Sequence, residues 1–165
     1  MKNLFFLTVL FFSLASCTNV SFVSPQPEFL EPLSEIPEKF RGSFFLNDKP
    51  KDVSVVTNNT IEGVSIDSDS LIVKARGNYL YVNILSERNN YELYIFKAVF
   101  YLNYEKIYVI CPNIEKEKLH LFNVIDEFED FFTKQSFLLN NVNVNQFNLL
   151  VNSASNEKSE LKRIN

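Results

Sequence analysis

The sequence is poor in several residues on which enzyme chemistry usually depends. Its 165 residues include no tryptophan, one methionine, one histidine, two cysteines and three glycines. A lone histidine, His120, leaves no second imidazole for a zinc site, and Cys111 has no neighbouring cysteine to complete one. A serine nucleophile would also need His120 as its base, and no Gly-x-Ser-x-Gly turn is present. With only Gly42, Gly63 and Gly77, no glycine-rich loop can cradle a phosphate. The longest apolar run falls short of the roughly 20 residues that a spanning helix requires. Positive charge is also scarce. The net charge is −4, which argues against nucleic acid and against electrostatic attachment to anionic lipid.

The sequence does have a leader. Met1-Lys2-Asn3 is followed by the apolar stretch Leu4 to Phe12 and then by Ser13-Leu14-Ala15-Ser16-Cys17. A basic start, a short apolar core and small residues before a cut make residues 1–16 a secretory signal. Leu14-Ala15-Ser16-Cys17 resembles the lipobox of bacterial lipoproteins. That resemblance implies cleavage before Cys17 and a diacylglycerol on its thiol, with palmitate as a suitable label. Two or three acyl chains hold a protein firmly at a bilayer, at about 0.8 kcal/mol per buried methylene. Cys17 is thereby the expected lipidation site and the membrane the expected partner, through a lipid anchor and not a spanning helix. With Cys17 acylated, Cys111 has no partner for an intrachain disulfide and reads as a small buried hydrophobe. Thr18 stands where aspartate would signal inner-membrane retention, and no acid precedes Glu28. By resemblance this implies the outer membrane, on its periplasmic face.

Residues 17–35 contain Pro25, Pro27 and Pro32, which forbid a regular element, and are expected to form an extended tether, part of which Phe22, Phe29 and Leu30 suggest lies on the domain. At roughly 3.1 Å per residue such a tether would reach tens of ångströms. Residues 36–165 are expected to form a single, monomeric β-rich domain. Seventeen phenylalanines and seven tyrosines favour strands. Candidate strands are a first one framed by Pro37 and Gly42, then Val53–Val56, Thr60–Ile66, Leu71–Arg76, Tyr79–Ile84, Tyr91–Leu102, Lys106–Cys111 and Leu119–Val124. Asn47 to Pro50, Asp67 to Ser70 and Ser86 to Asn90 supply turns. Gly77-Asn78 predicts a tight hairpin, since both residues tolerate positive φ. Asp126 to Phe132 reads as a helical turn or irregular cover, and Phe137–Leu139 as a last short strand. Val144, Phe147, Leu150 and Val151 mark an amphipathic helix over 143–153. The fold class is therefore mainly β, an antiparallel meander forming a small barrel or sandwich, with a C-terminal α-helix.

The layout resembles small lipoproteins of Bacteroidota. The shared features are the lipobox, a proline-bearing tether, Pro37, Phe40, Gly42 and Phe44 at the start of the domain, tyrosine-rich hairpins and a Leu-Lys-Arg-Ile ending. The resemblance implies a location and a β-rich fold, and no reaction. A small meander barrel is also similar to the lipocalins, although Gly42-Ser43-Phe44 stands in place of their Gly-x-Trp signature.

The candidates for chemistry are few. His120, between two leucines, faces away from both on a strand and reads as a surface residue. A Cys111–His120 nucleophile and base pair lacks a local positive charge to favour the thiolate. Asp67 and Asp69 offer carboxylates for calcium but lack the glycine and distal glutamate of the usual loop, and a plain turn accounts for them. Asp126, Glu127, Glu129 and Asp130 read as a solvated face. The tyrosines Tyr79, Tyr81, Tyr91, Tyr94, Tyr101, Tyr104 and Tyr108 pack a core, or line a barrel mouth for an apolar or glycan ligand. No catalytic residue, metal ligand, cofactor or ligand-binding residue is assigned. The expected function is a non-enzymatic envelope lipoprotein that binds or interacts with another molecule. A lipocalin-like carrier of a small apolar ligand is the alternative, and an enzyme with scattered carboxylates a third reading.

Overall fold

The computed structural model describes residues 19–46, 49–100, 105–129, 135–154 and 158–164. In chain order the strands are β1 (Val20–Phe22), β2 (Gly42–Leu46), β3 (Lys49–Val56), β4 (Thr60–Ile61), β5 (Val64–Ser65), β6 (Leu71–Arg76), β7 (Tyr79–Leu85), β8 (Tyr91–Phe100), β9 (Glu105–Ile110), β10 (Asn123–Phe128), β11 (Ser136–Asn140) and β12 (Lys158–Ile164). One α-helix, α1 (Val144–Ala154), lies between β11 and β12. The protein is thus mainly β with a C-terminal helix.

Strand β7 shows how the sequence sets the layers. Side chains alternate across a strand, so Leu80, Val82 and Ile84 join one apolar cluster. Tyr79 and Tyr81 join another on the opposite face. Strand β8 divides the same way: Tyr94, Phe96 and Ala98 face the first cluster, and Leu93 and Ile95 the second. The first cluster fills the inside of a curled sheet, with Phe44, Leu71, Val73, Ile107, Val109 and Cys111 among its members. The second lies outside that curl, beneath α1 and β1, where Phe147 and Leu150 of the helix are buried. Burying each such side chain contributes about 1.5–3 kcal/mol.

The sheet follows the order β10-β11-β1-β8-β9-β12-β2-β3-β4-β5, with β7 and then β6 on the other edge of β8. One edge of β8 is occupied by β7 from Tyr91 to Lys97. Its other edge is shared, by β1 at Tyr91 and by β9 from Ile95 to Phe100. The sheet is mixed, because β1 runs parallel to β11 with Val20 opposite Phe137, while the other pairings are antiparallel. Strand pairing does not close it. The gap between β6 and the β3–β4 turn is bridged by the chain at Leu33–Ile36. The Leu33 N–H donates to Val73 O at 2.7 Å, and the Ile36 N–H donates to Asn58 O at 2.6 Å. A 3-10 turn at Glu38–Phe40 follows, with Phe40 buried. Lys39 Nζ donates to Gly77 O at 2.6 Å, so this turn is tied to the β6–β7 hairpin.

Several expectations are corrected. The segment expected as a tether is part of the domain from Asn19 onward, because β1 supplies an inner strand and Phe22 is 0 % exposed. The domain therefore begins before Ile36. The first strand after the prolines starts at Gly42, since the residues before it wind into the 3-10 turn. Thr60–Ile66 is not one strand. Glu62 and Gly63 both take positive φ, at 52° and 76°, and fold β4 back on β5 as a primed hairpin turn does. In the β6–β7 turn only Gly77 takes positive φ, at 58°. Leu119–Val124 is also not a strand: Lys116–Leu121 is a 3-10 helix and β10 begins at Asn123. The acidic stretch expected as a helical turn is β10 as far as Phe128. On α1, Phe147, Leu150 and Val151 pack on the outer cluster as expected, together with Ala154, while Val144 is exposed.

Candidate functional site

Strands β6 and β7 present Lys74 and Asn83 on the outer face of the sheet, and both side chains are buried. They are covered by Ser24 to Leu30, a segment whose prolines cannot enter a ladder of their own. Its backbone groups must still be paired once buried, and the sheet supplies the partners. Lys74 Nζ donates to Pro25 O and to Pro27 O, each at 2.9 Å. Asn83 Oδ1 accepts the Gln26 N–H at 2.6 Å, and Asn83 Nδ2 donates to Gln26 O at 2.8 Å and to Ile72 O at 3.2 Å. Gln26 is itself 1 % exposed. Burial lowers the Lys74 pKa, and the charges of Glu31 and Glu28 oppose that shift. The strap also reaches the helix, where the Phe29 ring meets the Phe147 ring edge-on at 6.1 Å between centroids.

The chain enters this assembly at Asn19, which is fixed at three points. Its Nδ2 donates to Ile114 O at 2.9 Å, and its Oδ1 accepts the Ile114 N–H at 2.9 Å. Its carbonyl accepts the Phe137 N–H, also at 2.9 Å. Ile114 follows β9, and Phe137 lies in β11, so one asparagine joins β1 to both. Next to this junction the helix end is tied down by Ser153 Oγ, which donates to Asn113 O at 3.1 Å.

Inside the curl is a cavity of about 40 Å³, lined by Phe40, Phe44, Leu80, Phe96 and Ile107 with Ser54 as a polar member. That is room for roughly two or three waters, against about 300–1,000 Å³ for a pocket that holds a drug-sized ligand. Beside it, at the β4–β5 turn, Glu62 Oε1 accepts the Val55 N–H at 2.8 Å. Partial burial holds the Glu62 carboxyl above its ordinary range, and the Val55 bond offsets part of that shift.

The residues singled out in the sequence are scattered. Cys17 lies outside the described residues, as do Tyr101, Tyr104 and Asp130. Cys111 is 2 % exposed in the inner cluster. His120 is exposed on the 3-10 helix, with Nδ1 2.7 Å from Glu117 O, and the fold does not bring it to Cys111. Asp67 and Asp69 are exposed in their turn, and Asp126, Glu127 and Glu129 are exposed on or just after β10. Among the described residues no three His, Cys, Asp or Glu side chains gather as metal ligands. Tyr94 and Tyr81 are buried, at 0 % and 7 % exposure, and Tyr79, Tyr91 and Tyr108 are half-buried. Tyr94 belongs to the inner cluster and Tyr81, Tyr79 and Tyr91 to the outer one, whereas Tyr108 is in neither and has Lys158 Nζ over its ring at 4.5 Å. No helix among the described residues is long and apolar enough to cross a membrane.

No family model, no curated protein and no solved structure matches the chain. The residues that sequence reasoning missed are Asn19, Lys74 and Asn83. The available signal was indirect: a proline-bearing segment displays carbonyls without its own donors, so a lysine and an asparagine on apolar strands are candidates to supply them.

Proposed function

We propose that this protein is a cell-envelope lipoprotein, held by lipid on Cys17, whose β domain is a non-enzymatic binding or interaction module at the periplasmic face of the outer membrane. The observation that carries the reading is Leu14-Ala15-Ser16-Cys17 directly after a short apolar leader. The position of Asn19 supports it. The chain becomes part of the domain just after the proposed cleavage site, so the leader is separable without cutting into the sheet. The membrane is the partner through the lipid, and no reaction is assigned. The second reading, a carrier of a small apolar ligand, draws on the apolar lining of the inner cavity, but a volume of about 40 Å³ favours the first.

The test is metabolic labelling with a palmitate analogue. The wild-type protein is expected to take up label and to sediment with membranes, and Cys17→Ala to do neither. Label retained on Cys17→Ala would end the reading. The face is tested by protease treatment of intact cells, from which the domain should be protected until the outer membrane is opened.

A further inference from the structure

The lipid reading acquires a geometric consequence once the position of Asn19 is taken into account. An exported lipoprotein with a free tether samples a wide shell above its membrane. Here the proposed anchor, Cys17, and the first fixed residue, Asn19, are separated by Thr18 alone. Two residue steps span at most about 7 Å when fully extended. Asn19 cannot lengthen that span by peeling away, because its side chain and its carbonyl are bonded to Ile114 and Phe137. The next residue, Val20, is 2 % exposed and paired with Phe137.

We infer that, with Cys17 lipidated, one flank of the domain is held against the lipid headgroups. This is the flank where Asn19 is bonded to Ile114 and Phe137, beside Asn113, to which Ser153 ties the end of α1. The inference rests on the proposed lipidation. The occupant of the flank is the bilayer surface itself, since the chain between lipid and domain is too short to admit a protein between them. Attachment comes from the lipid and not from charge. The flank carries both signs, with Lys116 beside the Glu115–Lys118 ion pair of 2.7 Å and with Glu127 hydrogen-bonded to Gln135.

The opposite side of the domain then faces the aqueous space. Lys158 at the start of β12 pairs with Ile110, whereas Ile164 at its end pairs with Ser43 and Ser43 with Val55, so the β3–β4 turn at Asn58 lies at the other end of the strands from Ile114. This end of the strands is then the one held furthest from the lipid and open to a partner in solution. The short link thus fixes which surface is presented, as a long tether would not.

The experiment uses the full mature lipoprotein, purified with its lipid and placed in vesicles of phosphatidylethanolamine and phosphatidylglycerol that carry a headgroup-linked quencher. A fluorophore is attached at Lys116→Cys or at Asn58→Cys, both exposed positions. Cys111 is buried, so the labelled wild-type protein serves as the blank. Mass spectrometry first establishes diacylglycerol on Cys17. The expected result is several-fold stronger quenching at Lys116→Cys than at Asn58→Cys, with the difference lost when a long Gly-Ser linker is inserted between Thr18 and Asn19. Equal quenching of the two labels on lipidated protein without the linker would overturn the apposition and leave the lipid anchor standing. Protein without lipid on Cys17 would overturn both.

Discussion

Replacing Phe22 by alanine distinguishes a structural β1 from a tether most directly. Phe22 is 0 % exposed, pairs with Leu139 on one side and Tyr91 on the other, and lies in the cluster between the sheet and α1. Phenylalanine to alanine at such a site costs about 3–5 kcal/mol, from lost transfer energy and the cavity left behind. The whole stability of a domain is about 5–15 kcal/mol, so this one side chain accounts for a large share. With a urea dependence of about 2 kcal/mol per molar, the unfolding midpoint should fall by about 2 M. Phe29→Ala is the control, because Phe29 belongs to the same segment but is 41 % exposed and meets Phe147 only edge-on. Its loss should cost about 1 kcal/mol and shift the midpoint by about 0.5 M. The assay is urea unfolding followed by circular dichroism, on chains beginning at Thr18 so that lipid does not intervene. A midpoint for Phe22→Ala no lower than that for Phe29→Ala would refute the placement of β1 in the sheet.

Two further outcomes are expected. Asn83→Ala leaves the Gln26 N–H and carbonyl without their partner, at about 1–3 kcal/mol for each buried group. It should lower stability by about 2–6 kcal/mol and speed hydrogen exchange at the Gln26 amide; unchanged exchange there would show that the strap is not held by Asn83. Glu62→Gln keeps an acceptor for Val55 and removes the charge. The raised Glu62 pKa means that the folded state holds the proton to higher pH than the unfolded one, so stability falls as pH rises through that window. The variant should show a weaker fall as pH rises above the ordinary carboxylate range, and an identical slope in urea midpoints would count against it.

Local signals made much of the fold legible. The β6–β7 hairpin announces itself by Gly77 between two apolar runs, and the helix by the spacing of Phe147 and Leu150. Where pairing is distant the sequence reads poorly. Strand β12 is Lys-Ser-Glu-Leu-Lys-Arg-Ile, with a single partly buried inward residue, Leu161, packed on the inner cluster. It is held by backbone bonds to β9 and β2, which no residue pattern within it records. Leu119-His120-Leu121 imitates strand alternation but forms a 3-10 helix, because short apolar runs do not distinguish the two. Phe22, Phe29 and Leu30 pointed to contact between the strap and the domain, but not to the bonds that hold it, which come from Lys74 and Asn83, about fifty residues further along. Cys17 was read from the leader alone, and the described residues begin just beyond it.

The position of β12 also governs the order in which the molecule can be assembled. Strands β2 and β9 are synthesised well before the strand that lies between them, and β1 must wait in the same way for β11. Contacts so distant along the chain favour slow folding. Until β12 is in place, the facing edges of β2 and β9 stay open, each able to pair with another chain. A nascent product cut short after α1 would retain its hairpins and its helix, yet it would be missing the strand between β9 and β2. The presence of β12 is therefore a condition for the continuity of the whole sheet and not for that strand alone.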